Sequence, residues 1–298
     1  MNHLPPPRIA AIHDLSCFGR CALTVIIPTL SVMGYQTVPV PTALLSTHTG
    51  GFSNLHFHDM TPHMEKITDH LASLPVTFRA IYSGFLGSAE QIDTVFHIIH
   101  RFGSSPDESG NLPLILVDPV MGDDGEAYST YTPALIRGMR TLCHEAHLLT
   151  PNLTEACFLT DTPYQNTATM STKDALSFAH ALLDGLEHSY HAPQIVITGI
   201  HLPDGTLANL GKNTDGSRFT VTRPIQAHAY PGTGDIFASV LLGQLLRTHH
   251  FEDSCAYAAD FIATLIRDSA RISTPARDGV ALENHLWRLC ASDTSVES

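Results

Sequence analysis

Short apolar runs alternate with longer amphipathic ones along the chain. Arg8–His13 is rich in strand formers and ends at a polar turn, and Gln36–Pro41 is a second short extended run. Phe78–Tyr82 reads as a strand that stops at Ser83-Gly84. Leu112–Val117 is a continuous apolar run ending in Asp118-Pro119, which suits a parallel strand covered on both faces. Ala146–Thr150 and Gln194–Thr198 repeat the theme. Helical spacing predicts helices over Cys21–Met33, with Pro28 as a kink, and over Met60–Leu74 and Ala89–Phe102. The same spacing predicts Thr154–Leu159, Thr172–Leu186, Ile236–Arg247 and Ser254–Ile272. Thr206–Leu210 and Arg218–Thr222 read as a hairpin around the polar turn Lys212–Ser217.

Strands alternating with helices predict an α/β fold, a mainly parallel sheet with helices on both faces. No linker, repeat or low-complexity tract interrupts it, so one domain over residues 1–298 is expected, with residues 1–7 and 291–298 as flexible tails. In such sheets ligands bind beyond the carboxyl ends of the strands. The clusters found there are His13-Asp14, Ser46–Gly51, Ser83–Gly87, Asp118–Gly122, Thr150–Glu155, Thr198-Gly199 and Pro231–Asp235.

Composition removes several classes. The formal net charge is −13, from 16 Lys and Arg against 29 Asp and Glu, so no broad nucleic-acid surface is expected. A nucleotide stays compatible, because backbone N–H groups, a metal and one or two cations suffice for its phosphates. No apolar stretch reaches the roughly 18 residues of a membrane span, and the opening MNHLPPPR lacks signal-peptide features. The six cysteines are scattered without a CxxC pair, as in a reduced cytoplasmic protein. Cys17 and Cys21 are four apart, a spacing that suits a metal on a helix, but no second pair stands nearby. The nineteen histidines include His56 and His58 and the pair His249-His250, which read as a histidine-rich surface.

Five segments carry candidate chemistry. Gly232-Thr233-Gly234-Asp235 stands directly before an apolar helix. Two glycines and a helix N-terminus offer inward N–H groups to a phosphoryl group, and Asp235 is placed to take a hydroxyl proton. The competing reading is an ordinary Gly-rich loop capped by Asp235. Asp118 is either a ligand to a metal at the phosphates or a turn residue before Pro119. Asn152 and Glu155 either face magnesium-bound water or form a capping box. Asp123-Asp124-Gly125-Glu126 is either a flap over a nucleotide or a solvated loop. Ser46-Thr47-His48-Thr49-Gly50-Gly51 either lines a substrate pocket or turns the chain. A Walker A loop is absent.

In order and spacing, the motifs DPVMG, TPNxxE, ITG and PGTGD resemble the ribokinase-like superfamily, whose fold is a three-layer α/β/α sandwich. AIHDLSCFGRCAL, STHTGG and SGFLGSAEQ narrow the resemblance to its vitamin B6 kinase branch, from about Arg8 to Ala270. The resemblance implies ATP-dependent phosphorylation of the 5′-hydroxymethyl group of pyridoxal, pyridoxine or pyridoxamine. It also implies Mg²⁺, K⁺ as an activator in many members, and a cytoplasmic homodimer. Carried over by residue, it makes Asp235 the base, with Gly232, Thr233 and Gly234 as the anion hole. Asp118 and Glu155 fall near the metal and phosphates, supported by Asn152, while Thr150 and Thr198 line the ATP site with Thr233 and Gly234. Asp14, Ser16, His48, Thr49 and Phe85 fall at the substrate end, and Asp123–Tyr128 takes the place of the flap.

Two positions depart from the better-known members. Asp14 stands where they carry Ser, and Phe85 replaces a ring-stacking Tyr. Asp14 would either pair with a protonated amine, favouring pyridoxamine, or contact the ring without such a preference. The rival enzyme is a hydroxymethylpyrimidine (phosphate) kinase, which shares the fold and the GTGD loop. The rival of another class is a non-catalytic vitamer- or nucleotide-binding protein, against which the joint presence of Asp235, Asp118, Glu155 and both loop glycines argues.

Overall fold

The computed structural model describes residues 5–226 and 228–290. Residues 1–4 and the whole 291–298 stretch, expected from the sequence to be tails, lie outside the described residues. The first half holds β1 (Arg8–Phe18), α1 (Leu23–Val32), β2 (Gln36–Thr47), β3 (Phe57–Asp59), α2 (Thr61–Ala72), β4 (Ala80–Ser83), α3 (Glu90–Phe102) and β5 (Leu114–Val117). A short hairpin, β6 (Gly122–Asp123) and β7 (Glu126–Ala127), leads to α4 (Pro133–Leu142), β8 (Leu148–Leu149), α5 (Leu153–Thr160) and α6 (Thr172–Tyr190). The chain ends through β9 (Gln194–His201), β10 (Thr206–Lys212), β11 (Arg218–Pro224), α7 (Thr233–Thr248) and α8 (Phe251–Arg271).

Nine strands form one sheet in the order β11-β10-β9-β8-β5-β4-β1-β2-β3. Its centre, from β9 to β2, is parallel, and the outer pairs β9–β10, β10–β11 and β2–β3 are antiparallel. Side chains alternate along β1: Ala10 and Ile12 enter one core with α2 to α6, Ile9 and Ala11 the other with α1, α7 and α8. The α/β/α layering expected from the strand–helix alternation is therefore present. The chain leaves β1 for β2 on one side and returns to β4 on the other, so the β1/β4 crevice is the topological switch point.

Boundaries differ from the sequence reading where polar residues sit inside strands. β1 does not stop at His13-Asp14 but runs on to Phe18. Pairing with β2 slips there: His13 faces Pro41 and Leu15 faces Leu44, so β2 carries one extra residue. Such an irregularity breaks the apolar alternation that marks a strand and re-aims the side chain beside it. Likewise β2 continues to Thr47, so Ser46 and Thr47 are strand residues, and β3, with three residues, is too short to leave an alternation in the sequence. Cys17 lies on β1 and Cys21 in the following turn, so the pair does not share a helix. No helix among the described residues is long and apolar enough to cross a membrane.

Candidate active site

The first turn of α7 is built by its glycines. Gly232 caps the helix with a φ of +77°, in the left-handed region. A Cβ there would collide with the carbonyl oxygen of Arg20, so only glycine lets this loop lie against the β1–α1 turn. The Thr233 hydroxyl donates to the Tyr230 carbonyl at 3.1 Å and pins the loop. The space beside Gly234 is open, with no atom within 4 Å of where a Cβ would stand. N–H groups of a first turn have no acceptors inside the helix, so this opening is a cradle for an anion.

Asp235 sits in that turn, half-buried. Its Oδ2 accepts the backbone N–H of Ala22 at 2.8 Å, and Ala22 is the residue that caps α1. Two helix N-termini thus converge on one carboxylate. Burial pushes the Asp235 carboxyl up to about 8, the Ala22 bond opposes this, and Asp118 and Asp14 push in the same direction as burial. As the expected base, Asp235 must be ionised to work. Activity is therefore expected to fall as pH drops below about 8, with kcat/KM following the Asp235 carboxyl. A pH profile of kcat/KM that is flat between pH about 6 and 9 would contradict this.

The second group of acids lies at the ends of β5 and β8. Asp118 is buried and its Oδ1 accepts the Thr150 hydroxyl at 3.0 Å. Glu155 is engaged on both oxygens, Oε2 by the Asn152 N–H at 2.7 Å and Oε1 by the Met121 N–H at 3.0 Å. The Asn152 side chain accepts the Glu155 N–H at 2.8 Å, completing a capping box, and its amide donates to the Gly122 carbonyl at 2.8 Å. Asn152 and Glu155 thereby fix the Asp118–Gly122 turn to the start of α5. Burial pushes both carboxyls upward; the Thr150 hydroxyl opposes it at Asp118, and the Asp118 charge adds to it at Glu155.

Thr198 lies next to this group, bridged to Asn152 and donating its N–H to the Pro151 carbonyl at 2.9 Å. The Asp123–Tyr128 segment is an ordered hairpin, turned through Asp124 and Gly125 and held by the Gly125 N–H on the Thr154 hydroxyl at 2.9 Å. Burial raises the Tyr128 phenol, and the charges of Glu155, Asp123, Asp235 and Asp118 add to it, so the hairpin lies near the acid cluster.

The remaining predicted residues gather at the ends of β1, β2 and β4. Asp14 is buried and its Oδ2 accepts the Ser16 hydroxyl at 2.8 Å; burial raises its carboxyl. His48 is buried, with Nδ1 accepting the Gly50 N–H at 3.1 Å. Its Nε2 must then carry the proton it gives to the Arg277 carbonyl at 2.7 Å. Thr49 is exposed beside it, and Phe85 is half-buried edge-on to Tyr131 at 6.0 Å. The burial that raises the Cys21 thiol is reinforced by Asp14 and Asp235, so this turn lies beside both carboxyls.

Sequence reasoning missed the partners contributed by backbone and by distant turns. Ala22 offers only its N–H, which no motif marks. Arg277 and Asp278 come from beyond α8, more than 200 residues from the loops they join. His13 was read only as a strand end; it is fully buried with neither ring nitrogen paired, and burial lowers it to about 3. Its ring stands 4.3 Å from Tyr82 and fills the space that a side chain at Gly84 would need.

A Gly-rich loop opening a helix across the switch point of this sheet defines a ribokinase-like kinase fold and site. A family model described as phosphomethylpyrimidine kinase matches residues 26–278, and the chain belongs to that family. The pyridoxine/pyridoxal/pyridoxamine kinase of Bordetella avium is 27% identical, over 94% of this chain and 93% of its own. A candidate phosphomethylpyrimidine kinase of Bacteroides thetaiotaomicron, crystallised with pyridoxal, superposes with a TM-score of 0.84 at 36% identity, over 95% of this chain and 96% of its own. The pyridoxal kinase of Lactobacillus plantarum gives 0.82 at 26% identity, over 95% and 96%.

Proposed function

We propose that the chain transfers the terminal phosphoryl group of ATP to the 5′-hydroxymethyl group of a B6 vitamer, giving pyridoxal 5′-phosphate or its analogues. The observation that carries this reading is the Asp235 carboxylate, held by the Ala22 N–H at the mouth of the α7 anion cradle. The pyridoxal bound by the Bacteroides relative and the vitamer kinases among the relatives support the substrate class.

The vitamer hydroxyl lies in front of Asp235, and its oxygen attacks the terminal phosphorus in line with the departing ADP. Its proton passes to the Asp235 carboxylate. The first-turn N–H groups of Thr233 and Gly234 meet the charge on the transferring oxygens. Thr150, Asn152 and Thr198 line the nucleotide end, and the Asp123–Tyr128 hairpin shields it from water. At the other end Asp14, Ser16, His48 and Phe85 hold the ring, with Thr49 at the edge.

A magnesium ion would neutralise phosphate charge during transfer. The donor set fits a hard cation held largely through its water shell, because Asp118 is a buried carboxylate with no cationic partner among the described residues. Glu155 fits a supporting role, since both its oxygens already hold backbone N–H groups.

The second reading is a hydroxymethylpyrimidine kinase, favoured by the description of the matching family. Chromatographic detection of phosphorylated product after incubation with ATP and each substrate separates the two. Within the vitamers, the proposed role of Asp14 is to pair with the amine of pyridoxamine. Its kcat/KM should exceed that of pyridoxal, and Asp14→Asn should remove about tenfold or more of the advantage, as for a lost charge-assisted bond. Equal values for the two vitamers in the parent protein would eliminate the amine pairing.

A further inference from the structure

The β1–α1 turn that supplies the Ala22 N–H to Asp235 is itself clamped by a segment from the other end of the chain. The Arg20 N–H donates to the Asp278 carbonyl at 3.2 Å, and Arg20 Nη1 donates to the same oxygen at 3.2 Å. Arg20 Nε meets both oxygens of Glu283, at 3.0 and 2.9 Å. Gly279, with a φ of +79°, packs so closely on Arg20 that a Cβ there would stand 2.7 Å from the Arg20 Cβ. The Arg20 carbonyl in turn abuts Gly232 in the anion loop. One residue before Asp278, the Arg277 carbonyl accepts from His48.

We propose that Arg20 is a positioning residue: its clamp to Asp278 and Glu283 fixes the turn that aims the Ala22 N–H at Asp235. The inference rests on Asp235 being the base. Glu283 is 65% exposed at its side chain, and so open an ion pair adds little to stability. The single Nε–H shared by both Glu283 oxygens, together with Nη1 and the Arg20 N–H on the Asp278 carbonyl, instead sets direction, and a small displacement of a catalytic group is costly in rate. The clamp also joins the loop that carries His48 to the turn that holds the base.

The sign of the effect is fixed by the Ala22 bond. That N–H favours the ionised form of Asp235, so loosening the turn raises the carboxyl further and moves the acidic limb of kcat to higher pH. The other titratable groups facing Asp235 are Asp14 from β1, Asp118 beyond β5, Cys21 in the turn, Tyr82 from β4 and Tyr128 from the hairpin. None is itself replaced in the Arg20 or Glu283 variants.

The test compares pH profiles of kcat for Arg20→Gln, Glu283→Gln and the double variant, whose net charge equals that of the parent. Arg20→Gln and the double variant should lose about tenfold to a hundredfold in kcat, with the KM for ATP within about twofold and the acidic limb moved upward. Glu283→Gln should shift the limb in the same direction by less, and it carries the test if the Arg20 variants fail to fold. A parental kcat and limb, or a kcat loss without a moved limb, overturns the proposal. So does a shift in Arg20→Gln that vanishes in the double variant, which would mark a field effect of the charge. Asp235→Asn measured alongside separates the two readings. Near-parental turnover there removes the base and this proposal with it, whereas an inactive Asp235→Asn beside an unmoved Arg20→Gln limb removes the positioning role alone.

Discussion

Asp235→Asn should lower kcat by about 10²–10⁴-fold while the affinity for ATP stays within a few fold. Asparagine keeps the size of the side chain, and its carbonyl oxygen can still accept the Ala22 N–H, so the first turn of α7 should hold its shape. What it cannot do is take a proton. The loss should therefore fall on turnover and not on KM for ATP, the pattern of an interaction made only in the transition state. Stability should move the other way. The Asp235 carboxyl is raised by burial and by Asp118 and Asp14, so its ionised form is disfavoured in the folded protein and costs stability above the unfolded value. A neutral amide removes that cost, and the ligand-free variant should melt higher at pH about 8. A kcat near that of the parent would end the assignment of Asp235 as base.

Gly232→Ala should be nearly as damaging, and for a different reason. At a φ of +77° an L side chain is strained by about 1–2 kcal/mol. The Cβ would also collide with the Arg20 carbonyl, so the loop must shift away from the β1–α1 turn. Both changes displace the N–H groups of the cradle, and loss of one such donor is worth about 10²–10³ in kcat. The variant should thus lose both melting temperature and turnover. Gly234→Ala supplies the contrast. No atom lies within 4 Å of its Cβ position, so folding should be little affected while the added methyl crowds the space meant for the phosphoryl group. Equal melting losses for the two variants, measured by thermal unfolding beside steady-state kinetics, would refute this division.

Much of the scaffold was legible in the sequence because the central strands are buried on both faces. All four residues of β4 are buried, as are Ile115, Leu116 and Val117 of β5, and such runs announce themselves. Amphipathic α3 was equally plain, with buried residues recurring at helical spacing from Ile92 to Phe102. Legibility failed at the mouth of the site. β1 carries His13, Asp14 and Ser16 in its interior, so polar residues that signal a turn elsewhere are here buried strand residues. The loop at 231–235 was visible as a glycine pattern, yet the atom that orients its carboxylate is a backbone N–H 213 positions away. For Asn152 and Glu155 the capping box and the site location are both present. The box fastens the Asp118 turn to α5, so the local motif holds the segment for which a site role is proposed.

The central claim is that Asp235 drives transfer of phosphate from ATP to a B6 vitamer. The direct measurement is ADP release by the purified protein with Mg²⁺ and ATP, against pyridoxal, pyridoxine, pyridoxamine and hydroxymethylpyrimidine in turn, run in parallel with Asp235→Asn. Vitamer-dependent ADP release with stoichiometric vitamer phosphate, lost in Asp235→Asn, is the predicted result. Turnover confined to hydroxymethylpyrimidine, or tight vitamer binding without ADP release, would contradict it.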